Sequence, residues 1–286
     1  RLFGKHKAPA AAPAVTAPLH LPRSIPTFTP ATAWRQWWQI LRFDAAGVFR
    51  SLPFLVMLLF GVINLIAGAS VAKNMYGTAV YPMTHLMLQN ISNSFNFMLI
   101  IIVTFYAGEL IFKERQARIA DVSDAMPVPG WVPLLAKCTA LVGVIAGYLL
   151  VGVITAIGFQ LVKGGAPVEL GLYLKGTLLG SLFFVLMGLC ALTLQVLSNN
   201  KFIGYLLVIL LMVAQAVLGM LHLEHNLYAF GGTPAIKYSD MNGYGHFLTG
   251  WAWFSLYWSL FTVALVMLAR AFWVRGLSAD WRARVR

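Results

Sequence analysis

The chain has 286 residues, of which 59% are hydrophobic and only 10% charged, with a formal net charge of +12. A mean hydropathy of +0.76 excludes an ordinary water-soluble domain, and several apolar runs near twenty residues long match what a helix needs to cross a bilayer core about 30 Å thick. The runs are continuous rather than alternating, which excludes a strand barrel, and unpaired backbone cannot face lipid, so each is expected to be a helix.

Residues 1–33 hold six of the thirteen prolines and many alanines, with Arg1, Lys5, Lys7 and Arg23 scattered among them. That composition suits an extended linker that builds no core. No early apolar stretch marks a secretory leader, and a start at Arg1 is expected of a segment from a longer polypeptide.

From 34 to 50 the sequence WRQWWQILRFDAAGVFR becomes amphipathic. Trp34, Trp37, Trp38, Leu41, Ala45, Val48 and Phe49 share one helical face, with Arg35, Gln39 and Arg42 away from it. Tryptophan on one side and arginine on the other suit a helix lying in the headgroup layer. The competing expectation is a soluble helix packed on another domain.

Six spans follow, expected near 52–70, 92–112, 132–162, 172–197, 201–221 and 249–270. Together they make a membrane unit over 51–275, followed by a basic tail at 276–286. The third span is long enough to begin in the interface, with Lys137 snorkelling to the headgroups. Counted on alternate sides, 17 of the 21 Lys and Arg fall with the two termini, the loop after the second span and the turn between the fourth and fifth spans, which holds Lys201. The positive-inside rule therefore puts both termini and that loop in the cytoplasm. This distribution explains the net charge as topology, and no basic, aromatic-interleaved module for nucleic acid is present. Cys138 and Cys190 fall within spans and are expected to be small packing residues rather than a disulfide. Gly143 with Gly147, and Gly176 with Gly180, have the spacing that permits close helix crossing.

The segment 108–137, GELIFKERQARIADVSDAMPVPGWVPLLAK, is the most charged part of the chain. Glu109, Glu114, Asp121 and Asp124 are four of the whole chain's nine carboxylates, accompanied by Lys113, Arg115, Arg118 and Lys137. Ile111, Ile119, Val122 and Met126, with Arg115 in the same register, recur at steps of three and four, which predicts a helix with a thin apolar stripe. Glu114 precedes Arg118 in the favourable order for a helical ion pair. Pro127 and Pro129 end the helix. Two functions fit: a solvated loop with a short interfacial helix, or a docking element for a soluble partner.

The last outer loop, 222–250, is rich in aromatic, glycine and histidine residues and is expected to form an ordered outer cap or a partly re-entrant structure. Tyr238, Ser239, Asp240, Asn242 and Tyr244 are its candidate functional residues. His222, Glu224 and His225 do not form H-E-x-x-H, so no metal site is assigned. Ser239, Asp240 and His246 lack a nucleophile elbow. There is no phosphate-binding G-x-x-x-x-G-K-[ST] loop. The spans carry no central ionisable residue of the kind that ion-coupled carriers use. The chain itself is not expected to be an enzyme or to hold a cofactor.

An N-terminal amphipathic helix followed by six spans, with a charged segment between the second and third, resembles the type-2 membrane domains of ATP-binding-cassette exporters. In that family a Gly-Glu pair at the cytoplasmic end of the second span leads into a coupling helix and a proline turn; here Gly108 and Glu109 match the pair, 113–124 the helix and 127–131 the turn. More narrowly, FYAGELIFKERQARIADVSDAMPVP with YSDMNGYGHF resembles bacterial permeases that fuse two such halves, some followed by a zinc aminopeptidase domain, whose H-E-x-x-H this chain lacks. The resemblance implies an all-α integral membrane protein of the bacterial cytoplasmic membrane. It also implies a separate cassette ATPase, holding ATP and Mg, that docks on Glu109, Lys113, Glu114, Arg115, Arg118, Asp121 and Asp124. A second six-span half, fused or as a dimer, would complete the path within membrane lipid. The alternative is a non-transporting anchor or scaffold subunit of a larger complex. Nothing in the spans separates lipid, peptide or other amphiphilic cargo.

Overall fold

The structure is a computed structural model that describes residues 29–71, 81–164, 167–223, 225–245 and 247–273. The basic tail, residues 1–28 of the linker, Lys73, Glu224 and His246 lie outside the described residues. The described chain is helical: α1 (Pro30–Phe49), α2 (Leu52–Val71), α3 (Thr84–Gln116), α4 (Ala120–Ala125), α5 (Trp131–Lys163), α6 (Leu170–Ser198), α7 (Lys201–Met220) and α8 (Phe247–Ala271). Six of these, α2, α3, α5, α6, α7 and α8, are long and apolar enough to cross a membrane, as the apolar runs predict.

The core is built on α3, α5 and α6, which supply most of its buried side chains. Phe95, Tyr148 and Phe54 meet at its centre: Phe95 lies 4.7 Å from Tyr148, and Phe54 lies edge-on to Tyr148 at 6.1 Å. At one end Gln160, 1% exposed, accepts a hydrogen bond from the Tyr173 hydroxyl at 3.0 Å and donates to the Pro167 carbonyl at 3.2 Å and to Thr84 Oγ1 at 3.4 Å. One buried amide thus joins α3, α5 and α6, as a buried polar group requires.

At 33 residues each, α3 and α5 are about 50 Å long at about 1.5 Å per residue, well beyond a bilayer core. α2 has 20 residues and begins opposite Tyr106, whose hydroxyl lies 2.7 Å from Ser51 Oγ. The excess length of α3 and α5 therefore collects at the end that carries α4. α1 fills the space beside it.

α1 starts four residues before the expected 34, inside the proline-rich stretch. Pro30 is tolerated in the first turn, where its missing amide has no intrahelical partner, and Thr29 and Thr32 cap one another: Thr32 Oγ1 accepts from the Thr29 amide at 3.1 Å and Thr29 Oγ1 from the Thr32 amide at 3.4 Å. Trp34, Trp37 and Phe49 of α1 meet α5. Trp34 packs on Trp131 at 5.7 Å, Trp37 Nε1 donates to Thr139 Oγ1 at 3.2 Å, and Phe49 sits against Gly147. Contacts at 131 and 147 are about 24 Å apart along α5, so α1 runs lengthwise beside α5.

Two further expectations change. α3 begins eight residues before the expected 92, because its polar first half continues the helix that the apolar half announces. Each small-residue pair is used at one position only: a Cβ at Gly147 would strike Phe49 and one at Gly176 would strike Leu88, whereas Gly143 and Gly180 face open space. Cys138 and Cys190 are both free and buried.

Candidate functional site: the charged end of α3 and the α4 turn

The last turns of α3 hold three neighbouring helices and the α6–α7 junction. Glu109 accepts from Lys201, at the start of α7, at 2.5 Å. Lys113 donates to Asp44 of α1 at 2.9 Å and its ammonium lies 4.0 Å over the Phe43 ring. Glu114 accepts from Lys137 of α5 at 2.6 Å. Arg115 donates to the side chain of Asn199, between α6 and α7. Successive positions on a helix point in different directions, so one short charged run reaches partners on several sides.

Asp44 and Lys137 are the buried members of this cluster, at 1% and 2% exposure. Lys137 Nζ also donates to the Leu110 carbonyl at 2.5 Å and lies 3.7 Å from Asp44 Oδ2, a charge contact rather than a hydrogen bond. Two carboxylates and two ammonium groups balance, which is the condition for keeping ions out of water. The snorkelling expected of Lys137 is thus corrected: it points inward, where Glu114 and the Leu110 carbonyl accept from its ammonium and Asp44 adds a nearby negative charge. Asp44, absent from the sequence-based candidates, is the group that makes this possible. Its signal was its place in the series Trp37, Leu41, Asp44, Val48, where an acid interrupts an inward stripe.

Gly108 and Glu109 act together on α7. The Tyr205 ring occupies the space that a Cβ at Gly108 would need, and its hydroxyl donates to the Phe105 carbonyl at 3.1 Å. With the Lys201 pair, this fixes α7 to α3.

The expected single helix over 113–124 is two helices. α3 ends at Gln116, and Arg118 adopts a left-handed φ of 56° while the Ile119 amide donates to the Glu114 carbonyl at 3.0 Å. This six-residue closure is the Schellman ending, here without its usual glycine. The expected Glu114–Arg118 pair does not form, because Glu114 turns to Lys137 and Arg118 leaves the helix. α4 then spans six residues, none buried, and exposes Ile119, Val122 and Met126 at 50%, 70% and 51%. Arg118 and Asp121 are exposed beside them and Asp124 is half-buried. The seven sequence-based candidates therefore divide: Glu109, Lys113, Glu114 and Arg115 bind the bundle together, while Arg118, Asp121 and Asp124 belong to the tip.

At the opposite end, the candidates in the last loop form one compact turn. The Ser239 amide donates to the Gly243 carbonyl at 2.9 Å, and the Gly243 and Asn242 amides return to the Ser239 carbonyl at 2.7 and 3.3 Å. Tyr238 and Tyr244 flank it edge-on at 5.4 Å, with His85 stacked on Tyr238 at 5.8 Å and 3.9 Å from Asp240. Desolvation, then the carboxylates of Glu169 and Asp240, raise the Tyr238 pKa; burial, then Tyr238, raises that of Tyr244. The preceding residues form an ordered cap, with no helix among the described residues between α7 and α8: Phe230 packs on Trp258 at 5.1 Å, whose Nε1 donates to the Gly232 carbonyl at 3.0 Å.

No family model matches the chain, and no curated protein matches it.

Proposed function

We propose that the chain is the membrane-spanning half of an ATP-driven exporter in the bacterial cytoplasmic membrane, moved by a separate cassette ATPase that docks on α4. The observation that carries this reading is the exposed α4 tip on helices whose adjoining ends are locked to α1 and α7 by ion pairs. Load applied at α4 reaches α3 through three residues and α5 through five, two of them prolines with restricted φ. From there the Lys113–Asp44, Glu114–Lys137 and Glu109–Lys201 contacts pass it to neighbouring helices. Ile119, Val122 and Met126 supply an apolar contact, with Arg118 and Asp121 at its rim.

The charge distribution supports a cytoplasmic α4 and cytoplasmic termini. ATP and Mg belong to the partner ATPase, and a second six-span half completes the path. An anchor or scaffold subunit would present the same tip without moving.

The test is co-expression with a cassette ATPase encoded beside the chain, followed by purification and reconstitution in lipid. The ATPase is expected to co-purify and to hydrolyse ATP faster with the chain than alone. Val122→Asp combined with Asp121→Arg is expected to abolish both effects while helical content and thermal unfolding stay unchanged. Unaltered association and turnover in that folded variant would sink the docking assignment; association without any change in turnover would favour the scaffold.

A further inference from the structure

The outer half of α3 is polar along one side. His85, Gln89, Ser92 and Asn96 follow one another at steps of four, three and four residues, which places them on one helical face over about 16 Å of axis. They line a cavity of about 690 Å³, with Thr177 and Ser181 of α6 in its wall and Tyr238 and Tyr244 beside His85. That volume falls within the roughly 300–1,000 Å³ typical of small-molecule sites. The rest of the wall includes apolar Leu149, Phe184 and Leu186.

Several of these polar groups lack an internal use. Thr177 Oγ1 is buried with no hydrogen-bond partner in the chain, and Gln89 and Asn96 are exposed. Amides at such depth are costly against hydrocarbon, so the stripe calls for a polar neighbour. The charge in the wall is also informative. Among the described residues that line the cavity, the ionisable ones are His85, Lys237, Tyr238 and Tyr244, which cluster at the outer turn. Below them the polar lining is amide and hydroxyl, which offers no counter-charge to an ionised head.

We propose that this cavity binds a neutral amphiphile, whose hydroxyl- or amide-bearing head hydrogen-bonds to Gln89, Ser92, Asn96 and Thr177 while its hydrocarbon part lies against Phe184 and Leu186. Such binding requires neither ATP nor a partner ATPase, so it stands or falls separately from the exporter reading.

The test uses the full chain in phosphatidylcholine nanodiscs and a monoacylglycerol with a photoreactive diazirine in its acyl chain. Matched fatty-acid and alkylamine probes supply the anionic and cationic arms. Monoacylglycerol adducts are expected on residues 85–96 and 177–186, competed by unlabelled monoacylglycerol and at least about fivefold above either charged probe, a preference on the scale of a single good polar contact. Gly180 lines the cavity, and a Cβ there meets nothing within 4 Å. Gly180→Trp is therefore expected to fill the space and cut labelling by about tenfold with helical content and thermal unfolding retained. Should that variant fail to fold, Asn96→Leu provides the second test, with a comparable loss of monoacylglycerol labelling expected. Equal labelling by the charged probes would overturn the site, as would labelling that persists in whichever variant folds. Asn96→Cys forming a disulfide between copies would assign the stripe to a seam between chains and also overturn it.

Discussion

The carboxylate of Asp44, on α1, lies 3.7 Å from the ammonium of Lys137, on α5, with only 1% and 2% of the two side chains exposed. Removing either charge unbalances the buried cluster, leaving Lys113 and Lys137 against Glu114 alone or Asp44 and Glu114 against Lys113 alone. Asp44→Ala and Lys137→Met are each expected to destabilise the protein by about 3–5 kcal/mol, whereas Asp44→Leu with Lys137→Met together should cost far less than the sum. Reversible unfolding in mixed micelles measures all three; strict additivity would show that the two groups do not act as a pair.

Gly108 is the position where α3 admits the Tyr205 ring. Gly108→Ala is expected to cost about 1–3 kcal/mol, the usual range for forcing atoms into a packed contact. In a Tyr205→Ala background the same substitution should cost less than about 0.5 kcal/mol, because the clash is gone. A full penalty in that background would mean that the glycine serves some other purpose.

Six spans place α4 and the 238–244 turn at opposite ends, so their accessibility can be read separately. Val122→Cys is expected to react with a membrane-impermeant maleimide only from the cytoplasmic side, and Asp240→Cys only from the outside. The native Cys138 and Cys190 are buried and should stay unlabelled in both preparations. Reaction of both introduced thiols from the same side would rule out the topology.

Tyr238 and Tyr244 have raised pKa values. The folded protein keeps these protons at a pH where the unfolded chain has lost them, so their contribution is intact below the ordinary tyrosine value of about 10 and is lost as pH rises through and beyond it. Ultraviolet titration of the folded protein should show late-ionising phenols that disappear in Tyr238→Phe with Tyr244→Phe. Asp240→Asn should move the Tyr238 titration downward by removing a nearby negative charge. An unchanged titration in Asp240→Asn would remove that carboxylate as a cause.

The spans were legible because long apolar runs have few alternatives in a helical protein. What escaped was wherever a helix continued through polar residues or a charge turned inward. The start of α3 is hidden because Thr84, His85, Gln89 and Asn90 precede the apolar run without breaking the helix. Asp44 is hidden inside a tryptophan-rich stripe, and Lys137 lies near a span end, which points it outward, while its partners Asp44 and Glu114 are distant in sequence. The stop after Gln116 carried no glycine or proline: Arg118 takes the left-handed conformation unaided by composition, an uncommon choice for such a side chain. Tyr238, Ser239, Asp240, Asn242 and Tyr244 come together in one turn, since closely spaced turn residues remain neighbours when the chain folds back.

The neutral cluster around Lys137 also orders events during synthesis, which delivers the N-terminal helices first. Asp44 and Lys113 can meet once α3 has been made, but Lys137 arrives only with α5. Until then the nascent chain holds Asp44 and Glu114 against Lys113 alone, an excess of one negative charge where the finished protein has none. An incomplete product thus carries a surplus charge that its completed counterpart hides, and arrival of the third long helix is the step that cancels it.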